Sequence, residues 1–320
     1  MVRIGVVGAG MIAAEHLKHI EANGQAELVA VCDIVPRLAE AAAAQYGAVP
    51  YTQADDMLDK ERLDALFLCV PPFAHGDIEE TAARKGIHLL VEKPLGLHMD
   101  EVRRKAAVIS EAGILTSTGY CLRYMETVQR ARQYLEGKEI GMVRAYRFGG
   151  MPPASWWTDH AKSGGQLVEQ TTHNVDLMLY LAGPVRKVSA DMALLLHRDI
   201  PGITTPDVAS VNLVFASRAL GHIDTGYLPQ PEDRSSLEIL GRDFRVTIKG
   251  TALAIVEPGR RTIWQGKSDF YKQQDDAFIQ AVATGDRSLI LAPYEDAAYT
   301  LEVTLAANES AQTGLPVMII

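Results

Sequence analysis

Residues Val2 to Leu17 read VRIGVVGAGMIAAEHL. A short β-branched run meets a glycine-rich turn and then a helix start. The core of the stretch, Gly8-Ala9-Gly10-Met11-Ile12-Ala13, is a dinucleotide fingerprint with alanine in the third glycine position. Gly8 permits the tight turn, Gly10 lets the backbone approach a pyrophosphate, and Ala13 allows close helix–strand packing. The amides that open the helix, at Met11 and Ile12, suit an anion. This reading sets the fold class: an α/β chain that begins with a parallel-sheet, nucleotide-binding unit.

The rest of the first third follows the same alternation. Short apolar runs (Leu28 to Cys32, Ala65 to Val70, His88 to Val91, Ile114 to Ser117) alternate with helical patterns (Pro36 to Tyr46, Ala74 to Lys85, Asp100 to Ala112). Continuous apolar strands between helices imply a parallel sheet covered on both faces. Asp33, ending VAVCD, stands at the spacing where a carboxylate receives ribose hydroxyls. It also suits a cap before Pro36. A carboxylate there repels a 2′-phosphate and favours NAD, while Arg37 keeps NADP open. Pro71 and Pro72 turn the chain at the carboxyl edge of the sheet, where open α/β sheets bind ligands. His75 fits a helix start as well as a cofactor contact. Glu92-Lys93-Pro94 ends the next strand, and the proline holds Lys93 extended at the same edge, beside the expected nicotinamide.

Near Gly119 the pattern changes. A helical segment, Met125 to Leu135, gives way to long alternating strands: Met142 to Phe148, Val208 to Phe215, Ala219 to Tyr227, Leu237 to Leu240 and Phe244 to Ile248. Strands in succession without intervening helices read as an antiparallel sheet. Helical patterns at Asp269 to Thr284 and Tyr294 to Gln312 close the chain. The expected domains are 1–120, a dinucleotide-binding Rossmann unit, and 121–320, an α+β unit with a large open, mostly antiparallel sheet.

Within the second domain, Ser163 to Gly183 reads SGGQLVEQTTHNVDLMLYLAG. At about 100° per residue, Glu169, His173 and Asp176 fall within about 60° of one another on a helix, with Tyr180 on the same line. The remaining circumference is apolar, so the polar stripe either satisfies itself in a core or faces chemistry. A histidine held by a carboxylate suits removal of a hydroxyl proton as hydride leaves the same carbon. A lysine such as Lys93 lowers the cost of negative charge developing on the oxygen. The stretch Met151 to His160 is loop-like, and its Trp156 and Trp157 suit sugar stacking or plain packing equally. His222 and Tyr227 carry weaker signals.

The 320 residues are 48% hydrophobic and 22% charged, and the net charge of -9 disfavours nucleic-acid and membrane-surface partners. A strand-like N-terminus without a signal peptide, and three scattered cysteines (Cys32, Cys69, Cys121), lead to the expectation of a reduced cytoplasmic protein without disulfides. No zinc-like spacing occurs, so no metal is expected.

On GAGMIA, VCD, VEKPL and the Ser163–Gly183 stretch, the chain resembles the glucose–fructose oxidoreductase, inositol dehydrogenase and rhizopine-catabolism (Gfo/Idh/MocA) family over essentially its whole length. The resemblance implies NAD(P)-dependent oxidation or reduction of a hydroxyl or keto carbon on a sugar, sugar derivative or cyclic polyol. It implies that Lys93 touches nicotinamide ribose and substrate, that His173 is the base, and that Asp176 binds substrate. Glu169 stands where the family's usual residue is Asp, and Thr171 replaces a glycine. Glu169 therefore orients His173, contacts the sugar, or shares the work with Gln170. Arg123 and Tyr124, after Gly119-Tyr120, occupy positions of substrate contacts or pack. A homodimer or homotetramer through the sheet's open face is implied as well. The competing functions are a glycosidase of the same fold that uses NAD transiently, and a non-catalytic nucleotide sensor.

Overall fold

The computed structural model describes residues 1–152, 154–228 and 235–319. In chain order its elements are β1 (Val2–Val7), α1 (Met11–Ala22), β2 (Ala26–Cys32), α2 (Pro36–Tyr46), β3 (Val49–Tyr51), α3 (Ala54–Lys60), β4 (Ala65–Leu68), α4 (Ile78–Arg84), β5 (His88–Val91), α5 (Met99–Ala112) and β6 (Thr116–Thr118). There follow α6 (Glu126–Leu135), β7 (Met142–Phe148), α7 (His160–Ser163), α8 (Thr172–Ala182), β8 (Val185–Ala193), β9 (Val208–Phe215) and β10 (Leu220–Gly226). The chain closes with β11 (Ser235–Leu240), β12 (Arg245–Lys249), β13 (Ala252–Glu257), β14 (Arg260–Gln265), α9 (Phe270–Thr284), α10 (Tyr294–Thr313) and β15 (Val317–Met318).

Two compact units result: 1–124 with 269–298, and 125–268 with 299–320. The sequence places 269–298 with the second domain, whereas the structure packs it into the first. Phe278 and Ile279 of α9 join Ile4, Val6, Leu17, Ile20 and Phe67 in one buried cluster. That apolar stripe has no partner readable at sequence level, because its partners lie more than 200 residues away.

The first unit is a six-stranded sheet in the order β3-β2-β1-β4-β5-β6, every pair parallel. This is the doubly wound order whose switch point, between β1 and β4, forms a crevice at the strands' carboxyl ends. Two elements escape sequence reading, β3 and α3. The first is three residues containing Pro50, and the second, ADDMLDK, is mostly charged. The helix expected over Ala74 to Lys85 shortens to α4, because Gly76 adopts φ +50° after a 3₁₀ turn at Pro72–Ala74.

The second unit holds a nine-stranded sheet, β14-β13-β12-β11-β7-β10-β9-β8-β15. Its pairs are antiparallel apart from β7 with β10. Val143, Ala145, Ile223, Leu237, Ile239, Val246 and Ile255 are buried on one face. On the other face Met142, Leu220 and Ile263 are 43%, 52% and 59% exposed.

Candidate active site

The glycine loop after β1 carries the two demands expected of it. Gly8 sits at φ +92°, and a Cβ there would lie 2.4 Å from the Cys69 carbonyl oxygen, so no other residue fits. At Gly10 a Cβ would meet nothing within 4 Å. There the glycine keeps space clear rather than permitting a conformation. Gly10 is also the N-cap of α1 without a side-chain cap, leaving the amides around Met11 and Ile12 turned to that space. Ala13 is fully buried against the sheet. The Asp33 carboxylate lies at the same edge: Ala9 N–H donates to Oδ2 at 2.8 Å and Val35 N–H donates to Oδ1 at 2.8 Å. It holds the turn that leads into α2 and braces the glycine loop at once, and each oxygen retains a lone pair for a ribose hydroxyl. Arg37 is exposed in the first turn of α2. This loop, uncapped helix start and carboxylate fit a dinucleotide.

At the ends of β4 and β5, Pro71 and Lys93 are half-buried, whereas Pro72, His75 and Glu92 are buried. His75 Nδ1 lies 3.0 Å from Glu79 Oε1, and Glu79 in turn meets the fully buried Lys105 at 2.8 Å. Burial pushes the Glu79 carboxyl up, but His75 and Lys105 together hold it below the usual carboxylate range. His75 thus belongs to a charged network under α4 and α5. Glu92 also turns inward. Its Oε1 lies 3.2 Å from His16 Nε2, and its Oε2 accepts the Lys93 N–H at 3.1 Å. A Cβ on Gly119 would lie 2.4 Å from Glu92 Oε1, so the carboxylate is tightly enclosed. The Lys93–Pro94 peptide is cis. Arg123 is 2% exposed and donates to the Leu291 carbonyl and to Asp296 at 2.6 and 2.7 Å. Tyr124 Oη accepts the Leu291 N–H. Both therefore hold the start of α10 within the first unit.

In the second unit the motif stretch departs from one uniform helix. Leu167–Thr171 is a π-helical turn, and the α-helix begins only at Thr172. The rotation of about 100° per residue therefore links His173, Asp176 and Tyr180, but does not carry back to Glu169. π-Turns are rare and concentrate at functional sites. Glu169 is buried, and Tyr227, at the end of β10, is fully buried in its neighbourhood. Burial pushes the Tyr227 phenol far up, and the Glu169 charge adds to it. His173 is half-buried in the first turn of α8, and Gln170 is half-buried before it. Asp176 is 1% exposed and accepts from Thr300 Oγ1 at 3.3 Å. Tyr180 leaves the stripe for α6: Gln129 donates to its hydroxyl at 3.0 Å, and the Arg132 guanidinium lies 4.4 Å from its ring centre.

Thr171 has a clear place. Its hydroxyl donates to Gln166 Oε1 at 2.7 Å and lies 2.5 Å from Thr225 Oγ1 on β10; Thr225 also donates to Gln166. Trp156 and Trp157 tilt against each other at 4.9 Å in a 3₁₀ turn, Ser155–Thr158. Pro153 of that loop lies outside the described residues. His222 pairs with Asn212 and Asp224 on the sheet's open face. Among the described residues no group of three His, Cys, Asp or Glu side chains is placed to hold a metal ion. Among them, too, no helix is long and apolar enough to cross a membrane.

Comparison with known proteins identifies the family. The profile of an oxidoreductase family with an NAD-binding Rossmann fold matches residues 2–120, and that of the GFO/IDH/MocA C-terminal domain matches 128–247. An inositol 2-dehydrogenase of Rhizobium meliloti is 31% identical over 82% of this chain and 77% of its own length. The chain belongs to the GFO/IDH/MocA oxidoreductase family. A myo-inositol 2-dehydrogenase of Thermotoga maritima is 26% identical over 96% of both chains. A solved structure of the WlbA dehydrogenase from Bordetella pertussis, in complex with NADH and UDP-GlcNAcA, superposes with a TM-score of 0.85. It is 27% identical and covers 100% of this chain and 99% of its own. The chain is thus an NAD-dependent oxidoreductase with an α/β fold.

Sequence reasoning passed over His16 and Asp275. His16 is fully buried on α1, with Nδ1 2.9 Å from both Asp275 oxygens, while Asp275 lies 2.6 Å from His19 Nδ1. The only signal was a histidine on the apolar face of α1, between Ala13 and Ile20. Its partner is 259 residues away.

Proposed function

We propose that this protein oxidises a secondary hydroxyl of a cyclic polyol or sugar, or reduces the matching ketone, with NAD as hydride carrier. The observation that carries this reading is a half-buried histidine following a buried π-turn glutamate, in a chain whose first unit has the loop and carboxylate for a dinucleotide. In this reading His173 takes the hydroxyl proton, Glu169 and Gln170 set its orientation, and Asp176 and Trp157 bind substrate hydroxyls and ring. Lys93 stabilises negative charge on the reacting oxygen. Bound NAD supplies the hydride acceptor. The glycine loop and Met11–Ile12 amides hold its pyrophosphate, and Asp33 its adenosine ribose.

A panel of inositols, hexoses and aryl glycosides, followed by nicotinamide absorbance, tests the activity. Net NADH from a polyol or sugar supports it. Glycoside cleavage without net NADH would convert the reading to a glycosidase, and silence on the whole panel would favour a sensor. His173→Ala should lower turnover by about two to four orders of magnitude with NAD affinity retained. Asp33→Ser should narrow or invert a preference for NAD over NADP, and tighter NADP binding by the unmodified protein would show that Arg37 dominates.

The protein in this reading is a cytoplasmic homodimer or homotetramer. Three free, buried cysteines suit a reducing compartment. Met142, Leu220 and Ile263 leave exposed apolar side chains on the sheet's open face, among polar ones such as His222 and Asp224, that a second copy would cover. A concentration-independent monomer in analytical ultracentrifugation would refute the assembly.

A further inference from the structure

The charged cluster beneath the glycine loop reaches the proposed active lysine in three steps. Asp275 on α9 faces His16 through both carboxylate oxygens at 2.9 Å. The other ring nitrogen of His16 lies 3.2 Å from Glu92 Oε1. The second oxygen of Glu92 accepts the backbone N–H of Lys93 at 3.1 Å. His16 and Asp275 are wholly buried and Glu92 is 6% exposed.

Such burial would neutralise an unpaired carboxylate. Here each anion faces a cation. Although burial pulls the His16 ring down, Asp275 and Glu92 together raise it to about 10, and Asp275 is held below the usual carboxylate range. A doubly protonated ring donates from both nitrogens, so its two acceptors fix its plane. The ring is further locked edge-on to Phe67, at 5.4 Å. Gly119 lies against the Glu92 carboxylate, where a Cβ would come within 2.4 Å of Oε1.

We propose that His16 is a positioning residue: held by Asp275, it fixes Glu92, and Glu92 fixes the backbone from which Lys93 extends. The inference rests on the role given to Lys93 above. The relay joins the helix of the glycine loop (α1) to the residue after β5. The segment that opens on the pyrophosphate and the segment that carries the lysine thus share one buried anchor. Misplacement of a reacting group by about 1 Å costs on the order of 100-fold in rate. That sets the size of the effect to look for.

The test is a double-variant cycle with His16→Gln, Glu92→Gln and both together, with Lys93→Met alongside. The readouts are turnover of myo-inositol at saturating NAD, NAD affinity, melting temperature and the ¹H–¹⁵N signal of the Lys93 amide. The expected result is a fall in turnover of about 10- to 100-fold in each single variant, NAD affinity within about threefold, and a double variant no slower than the worse single. His16→Gln should also shift the Lys93 amide upfield, as Glu92→Gln does, although His16 does not touch that amide. Additive losses, or an unmoved Lys93 amide in His16→Gln, would overturn the relay. Should His16→Gln fail to fold, the unmodified protein decides. Imidazole ¹⁵N shifts showing both His16 nitrogens protonated at pH 8 support the relay, and a neutral ring ends it. Full turnover in Lys93→Met would remove the role of Lys93 itself. An inactive Lys93→Met beside fully active His16 and Glu92 variants would sink the relay alone.

Discussion

The two units bury polar side chains by opposite means. Beneath the first unit's strand ends the buried groups are charged: His16 with Asp275 and Glu92, and Lys105 with Glu79 and the half-buried Glu101. Around the π-turn of the second unit, beside the buried Glu169, a neutral network forms, as Gln166, Thr171 and Thr225 share hydroxyl and amide hydrogen bonds. Even the buried Asp207 is satisfied chiefly by main-chain donors, the N–H groups of Leu195, Leu196 and His197. Charge pairing is directional and strong but leaves a costly remainder when one member goes, whereas a neutral network loses one bond at a time. The first arrangement should therefore fail abruptly and titrate, and the hydroxyl–amide network of the second should fail gradually and without dependence on pH.

Asp275→Ala gives the largest expected effect. It leaves His16 and His19 facing an empty position and should destabilise the protein by about 3–5 kcal/mol in denaturant titration. A loss below about 1 kcal/mol would mean that the cluster is not an ion network at all.

Thr225→Val removes the hydroxyl between Gln166 and Thr171 without removing volume, and should cost about 1–3 kcal/mol. If it equals Asp275→Ala, the contrast between the units disappears.

The smallest effect is a slope. His16 binds its proton more tightly folded, at about 10, than at its ordinary 6.5. Its contribution is complete below pH 6.5 and is lost as pH rises towards 10. Melting temperature should therefore fall across that window. Asp275, held below the usual carboxylate range, and Glu92 are the groups that face His16. The buried thiols of Cys69 and Cys121, pushed up by burial, add in the same direction near pH 9. Thr225→Val should keep the slope and His16→Gln should lose most of it.

The sequence was most informative where chemistry is local. A tight turn at φ +92°, an open position at Gly10 and a carboxylate after the next strand all lie within about 25 residues of one another, and each leaves a residue type that few alternatives explain. The alternation of strands and helices and the switch to consecutive strands followed from hydrophobic period alone. So did the stripe of His173 and Asp176, as far as the α-helix extends.

What the sequence could not decide depends on contacts between distant segments. The π-turn that holds Glu169 has no period of its own to read, and Thr171 acquires its meaning only when β10 brings Thr225 beside it. Arg123, which the sequence left between substrate contact and packing, is held by Asp296, and Glu92 turns inward to His16. Helix α9 looked like part of the second domain until its apolar side met α1 and β4. Residue identity and local period determine which groups a segment offers and in which direction. Only the folded chain determines which of those groups burial obliges to pair with each other, and which are left for a substrate.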